Sequence, residues 1–341
     1  MDKDATRRFR VAVVGCGAIH ATHADALAEI PNVSVAAFCD VVPERAEASA
    51  ARCGGRAETD WTRLLADPGI DAVHLCTPHD LHAPMARAFL GAGKHVFTEK
   101  PMGLSVDEGE AMVRAADESG RTLGVCFQNR CNATSLALRD LVRSGRAGRV
   151  RGARALLTWS RDAEYYTGSD WKGTWRREGG GVLINQAIHT IDLLQWALGL
   201  PAELKGTVDR RSLADVIEVE DTAEATFRHV DGTRTYVFAT NGYVTDAPVE
   251  IEVVFEKATS RLRGELVVAW DDGHVETVAE RSVRTDAKAY WGGGHRDILR
   301  DFYECLAAGR PFALDGREGL QALRILRAWY ESDRKRDWVR V

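Results

Sequence analysis

The sequence predicts an α/β protein: an N-terminal doubly wound parallel sheet followed by a C-terminal α/β domain with a large, open, mostly antiparallel sheet. Three features predict it. Through the first 125 residues, short apolar runs alternate with helical patterns, the signature of parallel strands joined by helical crossovers. The first of those runs enters a glycine turn, VAVVGCGAIH (11–20), and then a helix. Beyond residue 200 the pattern changes to successive short strands, with hairpin turns at Asp231-Gly232 and Asp272-Gly273.

In order, strands are expected at 11–15, 33–39, 72–76, 95–98 and 122–126. Helices are expected at 23–29, 45–53, 84–90 and 106–118, the last stopped by Gly120. A helix at 136–144 and a strand at 150–159 then open the second part. Residues 160–180 read as a loop rich in Trp, Tyr, Gly and Arg. A strong helix at 182–198 is stopped by Gly199 and Pro201. Strands follow near 203–211, 221–230, 233–240, 249–256, 261–269 and 274–279, then helices near 295–308 and 317–332. No linker or repeat separates the parts. The chain divides into a dinucleotide-binding domain, 1–127, and a substrate-binding and oligomerisation domain, 128–341, whose last helix is expected to pack back on the first.

The 341 residues, 45% hydrophobic, are enough for two domains with real cores. A net charge of -5 with 28% charged residues gives no electrostatic case for a nucleic-acid or membrane partner. The basic run Arg334-Lys335-Arg336 is short and flanked by acids. Seven cysteines, an odd number without a C-x-x-C pair, read as thiols of a reducing compartment. Cys16, Cys39, Cys76 and Cys126 lie in or beside apolar runs. No apolar run approaches a membrane span or a signal core, so a cytoplasmic location is expected. No His/Cys/Asp cluster has metal-ligand spacing, so no metal is expected. An antiparallel sheet with few covering helices leaves a face open, partly apolar through Val249, Ile251, Val253 and Phe255 unless the core claims them. A homodimer or homotetramer is therefore expected.

The chemistry concentrates in four places. Gly15 permits the tight turn, and Gly17 lets a pyrophosphate approach the backbone at a helix N-terminus, where free N–H groups favour anions. The third glycine of the usual G-x-G-x-x-G is replaced by His20. Asp40, at the end of the second strand, has the spacing of an acid on the adenosine ribose; the plainer reading is a turn residue before Pro43. Thr77-Pro78 and Glu99-Lys100-Pro101 fall at strand carboxyl ends, which line the ligand crevice of such a sheet. The proline after Lys100 restrains it and could hold a cis bond. Asn185 and His189 are four apart on the expected helix, so they share a face. Asp192, three further on, is either an orienting carboxylate or a structural helix acid. His295, opening a helix after glycines, could reach the site; a capping or core role is the plainer reading.

The segments GCGAI, DVVPERA, CTPHDLHAPMARAFLGAGKHVFTEKP and GGGVLINQAIHTIDLLQWALG, in this order and at these spacings, resemble the Gfo/Idh/MocA oxidoreductases across essentially the whole chain. The resemblance implies a Rossmann domain plus an open-sheet domain, NAD or NADP, and a sugar-like or cyclitol substrate. It implies a cofactor site from Gly15, Gly17, Ala18, Ile19 and Asp40, continued by Thr77, Pro78, His82, Glu99 and Lys100. Arg45 and the Trp175-Arg176 pair complete it. Lys100 would lie between nicotinamide and substrate, and His189 would act as general acid/base. Asn185 stands where most members carry Asp. An amide cannot raise the histidine's pKa by charge pairing, but it can orient a hydroxyl or the imidazole. Similar Asn variants occur among relatives acting on nucleotide-sugar acids and glycosides. Tyr166 and Trp171 are candidate platforms for a sugar's C–H faces, with loop packing the alternative.

The expected activity is NAD(P)-dependent interconversion of a secondary alcohol and a ketone on a sugar, glycoside, nucleotide sugar or cyclitol. Asp40 favours NAD, because its carboxylate would repel a 2′-phosphate. Arg45 is the group that would serve NADP. Two alternatives stand beside it: glycoside cleavage or rearrangement through transient oxidation by tightly bound NAD, and a nucleotide-binding sensor without turnover.

Overall fold

The computed structural model describes residues 8–280 and 293–341. They form two compact units. The first takes the residues up to Phe127 together with His295–Leu320; the second takes Gln128–Gly294 with Gln321–Val341.

The first unit runs β1 (Phe9–Val14), α1 (His20–Ala28), β2 (Val33–Cys39), α2 (Pro43–Cys53), β3 (Arg56–Glu58), α3 (Thr62–Leu65), β4 (Ala72–Leu75), α4 (His79–Gly91), β5 (His95–Thr98), α5 (Val106–Ser119) and β6 (Leu123–Val125). The sheet is parallel, in the order β3-β2-β1-β4-β5-β6. Growth of the sheet reverses between β1 and β4, and this switch point is where a crevice opens at the strand ends. Strands β4 and β5 are buried at every residue, as strands covered on both faces must be. The α5 helix is capped by Ser105, whose hydroxyl accepts the Glu108 N–H, and closes on Gly120 in the left-handed region. Neither β3 nor α3 was legible, because each is too short to show a period. The α4 helix starts five residues before the expected Pro84, which sits inside it and forgoes one backbone hydrogen bond.

The second unit contains α6 (Ala133–Ser144), β7 (Val150–Thr158), α7 (Ala163–Thr167), a π turn (Leu183–Ala187) leading into α8 (Ile188–Leu198), and strands β8 (Glu203–Asp209), β9 (Thr222–Arg228), β10 (Arg234–Thr240), β11 (Glu250–Phe255), β12 (Ala258–Arg263), β13 (Glu265–Trp270) and β14 (Val275–Val278). After α9 (Gly294–Ala308) and α10 (Gly316–Lys335), β15 (Val339–Arg340) forms one edge of the nine-stranded sheet. The sheet order is β14-β13-β12-β11-β7-β10-β9-β8-β15, and its single parallel pair is β7 with β10. The run read as one strand at 261–269 is in fact two. They turn at Gly264 with φ +81°, a glycine between Arg and Glu that carries no strong turn signal.

Two expectations about packing need correction. The apolar set on β11 does not form an open face: Ile251, Val253 and Phe255 are buried in the core. The outward positions carry Glu250 and Glu252, paired with Arg154, Arg261 and Arg263. The helix that joins the first unit is mainly α9, not the last one. Its Phe302 and Tyr303 pack on Phe97 and Phe9. The α10 helix gives only its first turn to that unit, where Gly319 lies against Val125, and then runs on in the second unit with Trp329 against Gly206 and Phe227. Among the described residues no helix is long and apolar enough to cross a membrane. All seven cysteines are free thiols, and five are buried.

Candidate active site

In the first unit the site is built at the carboxyl ends of β1, β2, β4 and β5. Gly15 has φ +91°, and a Cβ there would stand 2.6 Å from the Cys76 carbonyl oxygen, so only glycine lets the turn lie against the next strand. Gly17 has open space beside it. Ala18 and Ile19 lead into α1, whose start has no side-chain cap, leaving its backbone N–H groups for an anion. His20 fills the place of the third glycine by bridging the Gly17 carbonyl and the Ser49 hydroxyl, which ties α1 to α2. Asp40 accepts the Cys16 N–H at 2.7 Å and the Val42 N–H at 2.9 Å, one on each oxygen. Each oxygen keeps a second lone pair for a ribose hydroxyl. Arg45 is exposed in the first turn of α2.

After β4, the buried Thr77 hydroxyl has no hydrogen-bond partner, while Pro78 precedes α4. His82 is buried, with one ring nitrogen 2.8 Å from the Thr77 carbonyl and the other 2.7 Å from that of Pro101. It braces the two strand-end loops, with no nitrogen left over for a cofactor. Burial lowers its pKa while the two carbonyls oppose that fall. The peptide between Lys100 and Pro101 is cis, and Lys100 itself is half-buried. The Glu99 carboxylate is turned into the protein, 2.9 Å from His23 Nε2.

In the second unit, the chain enters α8 through the π turn, and Asn185 lies on that turn with His189 just beyond it. A π turn was not foreseen; such turns recur at functional sites. Gly181 is required because a Cβ would stand 1.8 Å from the Glu220 carbonyl oxygen. The buried Glu220 carboxylate accepts the N–H groups of Gly181 and Leu183 and the Tyr330 hydroxyl, capping the helix. Asn185 Nδ2 donates to Glu178 Oε1 at 2.6 Å and lies 3.4 Å from the Tyr165 hydroxyl. Glu178 is fully buried, its other oxygen accepts the Gly173 N–H, and burial pushes its pKa up to about 7.

The family model for the oxidoreductase family with an NAD-binding Rossmann fold matches residues 9–127, and that for the GFO/IDH/MocA C-terminal domain matches 135–261. The chain belongs to the Gfo/Idh/MocA oxidoreductases. It is 32% identical to the WlbA dehydrogenase of Bordetella pertussis, whose structure holds NADH and UDP-GlcNAcA, over 98% of this chain and 99% of that one, with a TM-score of 0.86. It is 27% identical to levoglucosan dehydrogenase of Pseudarthrobacter phenanthrenivorans over 98% of both chains. It is 26% identical to inositol 2-dehydrogenase of Rhizobium meliloti over 93% of this chain and 94% of the relative. This Gfo/Idh/MocA oxidoreductase has a first unit that fits its NAD: a glycine turn against bare backbone, an uncapped helix start, Asp40 with spare lone pairs, and the orphaned Thr77 hydroxyl.

The aromatic loop is corrected. Tyr166 is 3% exposed, packed on Leu213, Ile217 and Val219, with its hydroxyl accepting from Asn241, so it is core and not a sugar platform. Its neighbour Tyr165 instead reaches Asn185 and Gln186, beneath the Lys172 ammonium. Sequence could not separate adjacent tyrosines without knowing which face of α7 is covered. Trp171 is half-buried; Trp175 is exposed and donates its indole N–H to the Glu218 carbonyl; Arg176 is exposed beside it. Asp192 is a structural acid, in a buried two-point ion pair with Arg130 at 2.6 and 2.7 Å. Glu178 and Glu220 were missed. Their only signal was an acid beside a triple glycine and another inside an apolar strand entry.

Proposed function

We propose that this oxidoreductase interconverts a secondary alcohol and a ketone on a sugar-like substrate, with a nucleotide sugar first among the candidates. The observation that carries the reading is that a chain of this family keeps both a lysine at the end of β5 and a histidine at the start of α8. His189 takes the proton from the substrate hydroxyl. The Lys100 ammonium stabilises the oxygen as it gains charge. Asn185, held by Glu178 and Tyr165, orients the substrate hydroxyl by hydrogen bonding. Bound NAD supplies the hydride acceptor. The nucleotide sugar is favoured by the Asn185 departure together with the 32% identical relative that holds UDP-GlcNAcA.

The test is a panel of nucleotide sugars, free sugars and cyclitols with NAD, read at the nicotinamide absorbance. Turnover of free NAD with a nucleotide sugar is expected. Glycoside cleavage without net NAD turnover would replace the dehydrogenase reading, and NAD binding with no turnover of any compound would favour a sensor. We further propose a homodimer or homotetramer using the outer sheet face, where Leu156, Tyr236 and Phe238 lie between charged ladders. Light scattering at micromolar concentration should give two or four chains; a monomer overturns this.

A further inference from the structure

Behind Lys100 the first unit buries a set of polar side chains that the alcohol chemistry does not use. His23 from α1, Glu99 from the end of β5, Cys126 just after β6 and His295 from the first turn of α9 each turn one donor atom inward. The four atoms all lie within 4.8 Å of one another, and every one of the four residues is buried. Among the described residues no other group of three or more His, Cys, Asp or Glu donors meets at this range. The donors come from four separate elements, which is why no local spacing announced them.

We propose that His23, Glu99, Cys126 and His295 form a tetrahedral site for one zinc ion, a structural centre that ties α9 to the strand ends behind the reactive lysine. Two imidazoles, a thiolate and a carboxylate are the donors zinc takes, at about 2.0–2.3 Å. A tetrahedron of those lengths sets its ligand atoms about 3.3–3.6 Å apart. The widest metal-free separation is no more than 4.8 Å and must close, while the 2.9 Å between His23 Nε2 and Glu99 Oε1 must open slightly, and side-chain rotation can supply both. The charges balance: one thiolate and one carboxylate neutralise the dication, so the buried centre carries no net charge. The ion takes the place of two protons, the one on the Cys126 sulfur and the one that His23 Nε2 shares with Glu99 at 2.9 Å.

The support behind the ligands is already in place. His23 Nδ1 lies 2.9 Å from His74 Nδ1, and His74 Nε2 lies 2.8 Å from the Tyr303 hydroxyl. That chain lets His23 donate from Nδ1 and aim the Nε2 lone pair at the metal, the outer support that zinc-bound histidines need. Buried all round, the site leaves no open position for substrate, as a structural centre requires.

The experiment uses the full chain without a histidine tag, expressed with added zinc and dialysed free of loose metal. Elemental analysis should return about one zinc per chain. X-ray absorption at the zinc edge should show one sulfur and three nitrogen or oxygen neighbours. This reading needs no variant and separates the site from adventitious capture by the other cysteines. Refolding with Co²⁺ should give a thiolate-to-cobalt charge-transfer band. Cys126→Ser, checked for folding by circular dichroism, should remove that band and weaken zinc binding more than about a hundredfold. Tyr303→Phe, which only loosens the outer support, should weaken it about tenfold. Absence of zinc, a first shell without sulfur, or a cobalt band that persists in Cys126→Ser would each overturn the site and leave the cluster a hydrogen-bond network only. Metal content is read without any substrate, so this result is independent of the proposed dehydrogenase activity.

Discussion

Two buried glutamates, one in each unit, have opposite fates. Glu99 is under a tenth exposed and Glu178 is fully buried, so dehydration alone would raise both pKa values. Glu178 follows that rule and rises to about 7, because its donors, the Asn185 amide and the Gly173 N–H, are neutral. Glu99 goes the other way. Burial still pushes it up, but the hydrogen bond and charge of His23, with His295 and Lys100 nearby, hold it below the usual carboxylate range. Burial opposes a charge on His23 too, yet the surrounding Cys76 and Cys126 thiols and the Glu99 carboxylate raise its pKa above the ordinary imidazole value. The sign of a buried acid's shift is thus set by whether its partner carries charge. The two glutamates meet the same cost by different chemistry: Glu99 builds an ion pair, and Glu178 stays an acid that is half protonated near neutrality.

The comparison breaks most visibly at Glu99. In metal-free protein, Glu99→Gln should cost about 3–5 kcal/mol of stability at pH 7, since it strands a buried imidazolium. Urea unfolding measures this, and a loss below about 1 kcal/mol would mean His23 is neutral and the pair an ordinary hydrogen bond.

Glu178 gives the opposite test. Its folded pKa is raised, so the folded state holds more protons than the unfolded chain between about pH 4.5 and 7. Glu178 therefore makes stability fall as pH rises through that window, and adds no further change above it. A shift from 4.5 to about 7 corresponds to at most about 3.4 kcal/mol. Glu178→Gln keeps a hydrogen-bond acceptor for Asn185 and cannot ionise. Its stability relative to the parent should climb from pH 4.5 to 7 and then level off. A flat difference would show that Glu178 ionises normally.

The two units also contribute one reacting side chain each to the proposed mechanism. Lys100→Ala and His189→Ala should each lower turnover at least about 10²-fold, near 2.7 kcal/mol. If both serve one proton-coupled step, the double variant will fall well short of the product of the single losses. Near-parental rates in either single variant, or simple multiplication in the double one, would sink that joint role.

The smallest expected effect is on cofactor choice. Asp40→Ser removes the carboxylate that would repel a 2′-phosphate, so the preference for NAD over NADP should narrow about tenfold, or 1.4 kcal/mol. Calorimetric titration of both cofactors measures it; tighter NADP binding by the parent would refute the role given to Asp40.

What the sequence determined by itself is what local chemistry announces. Gly15 must be glycine, since its backbone lies in the left-handed region against Cys76. Asp40 and Lys100 stand where apolar runs end, and strand ends in a parallel sheet face one way. The strand–helix order followed from periods of two and 3.6, except where β3 and α3 were too short and where β12 and β13 met without a strong turn. Tertiary structure alone decided the rest. It buried Tyr166 and left Tyr165 beside Asn185, gave Asp192 to Arg130, and turned Glu99 inward to His23. It set Glu178 behind the Asn185 amide, and it drew His23, Cys126 and His295 around one carboxylate. Each of those outcomes depends on which residues distant in sequence become neighbours and how much water they lose, and neither is written in the spacing along the chain.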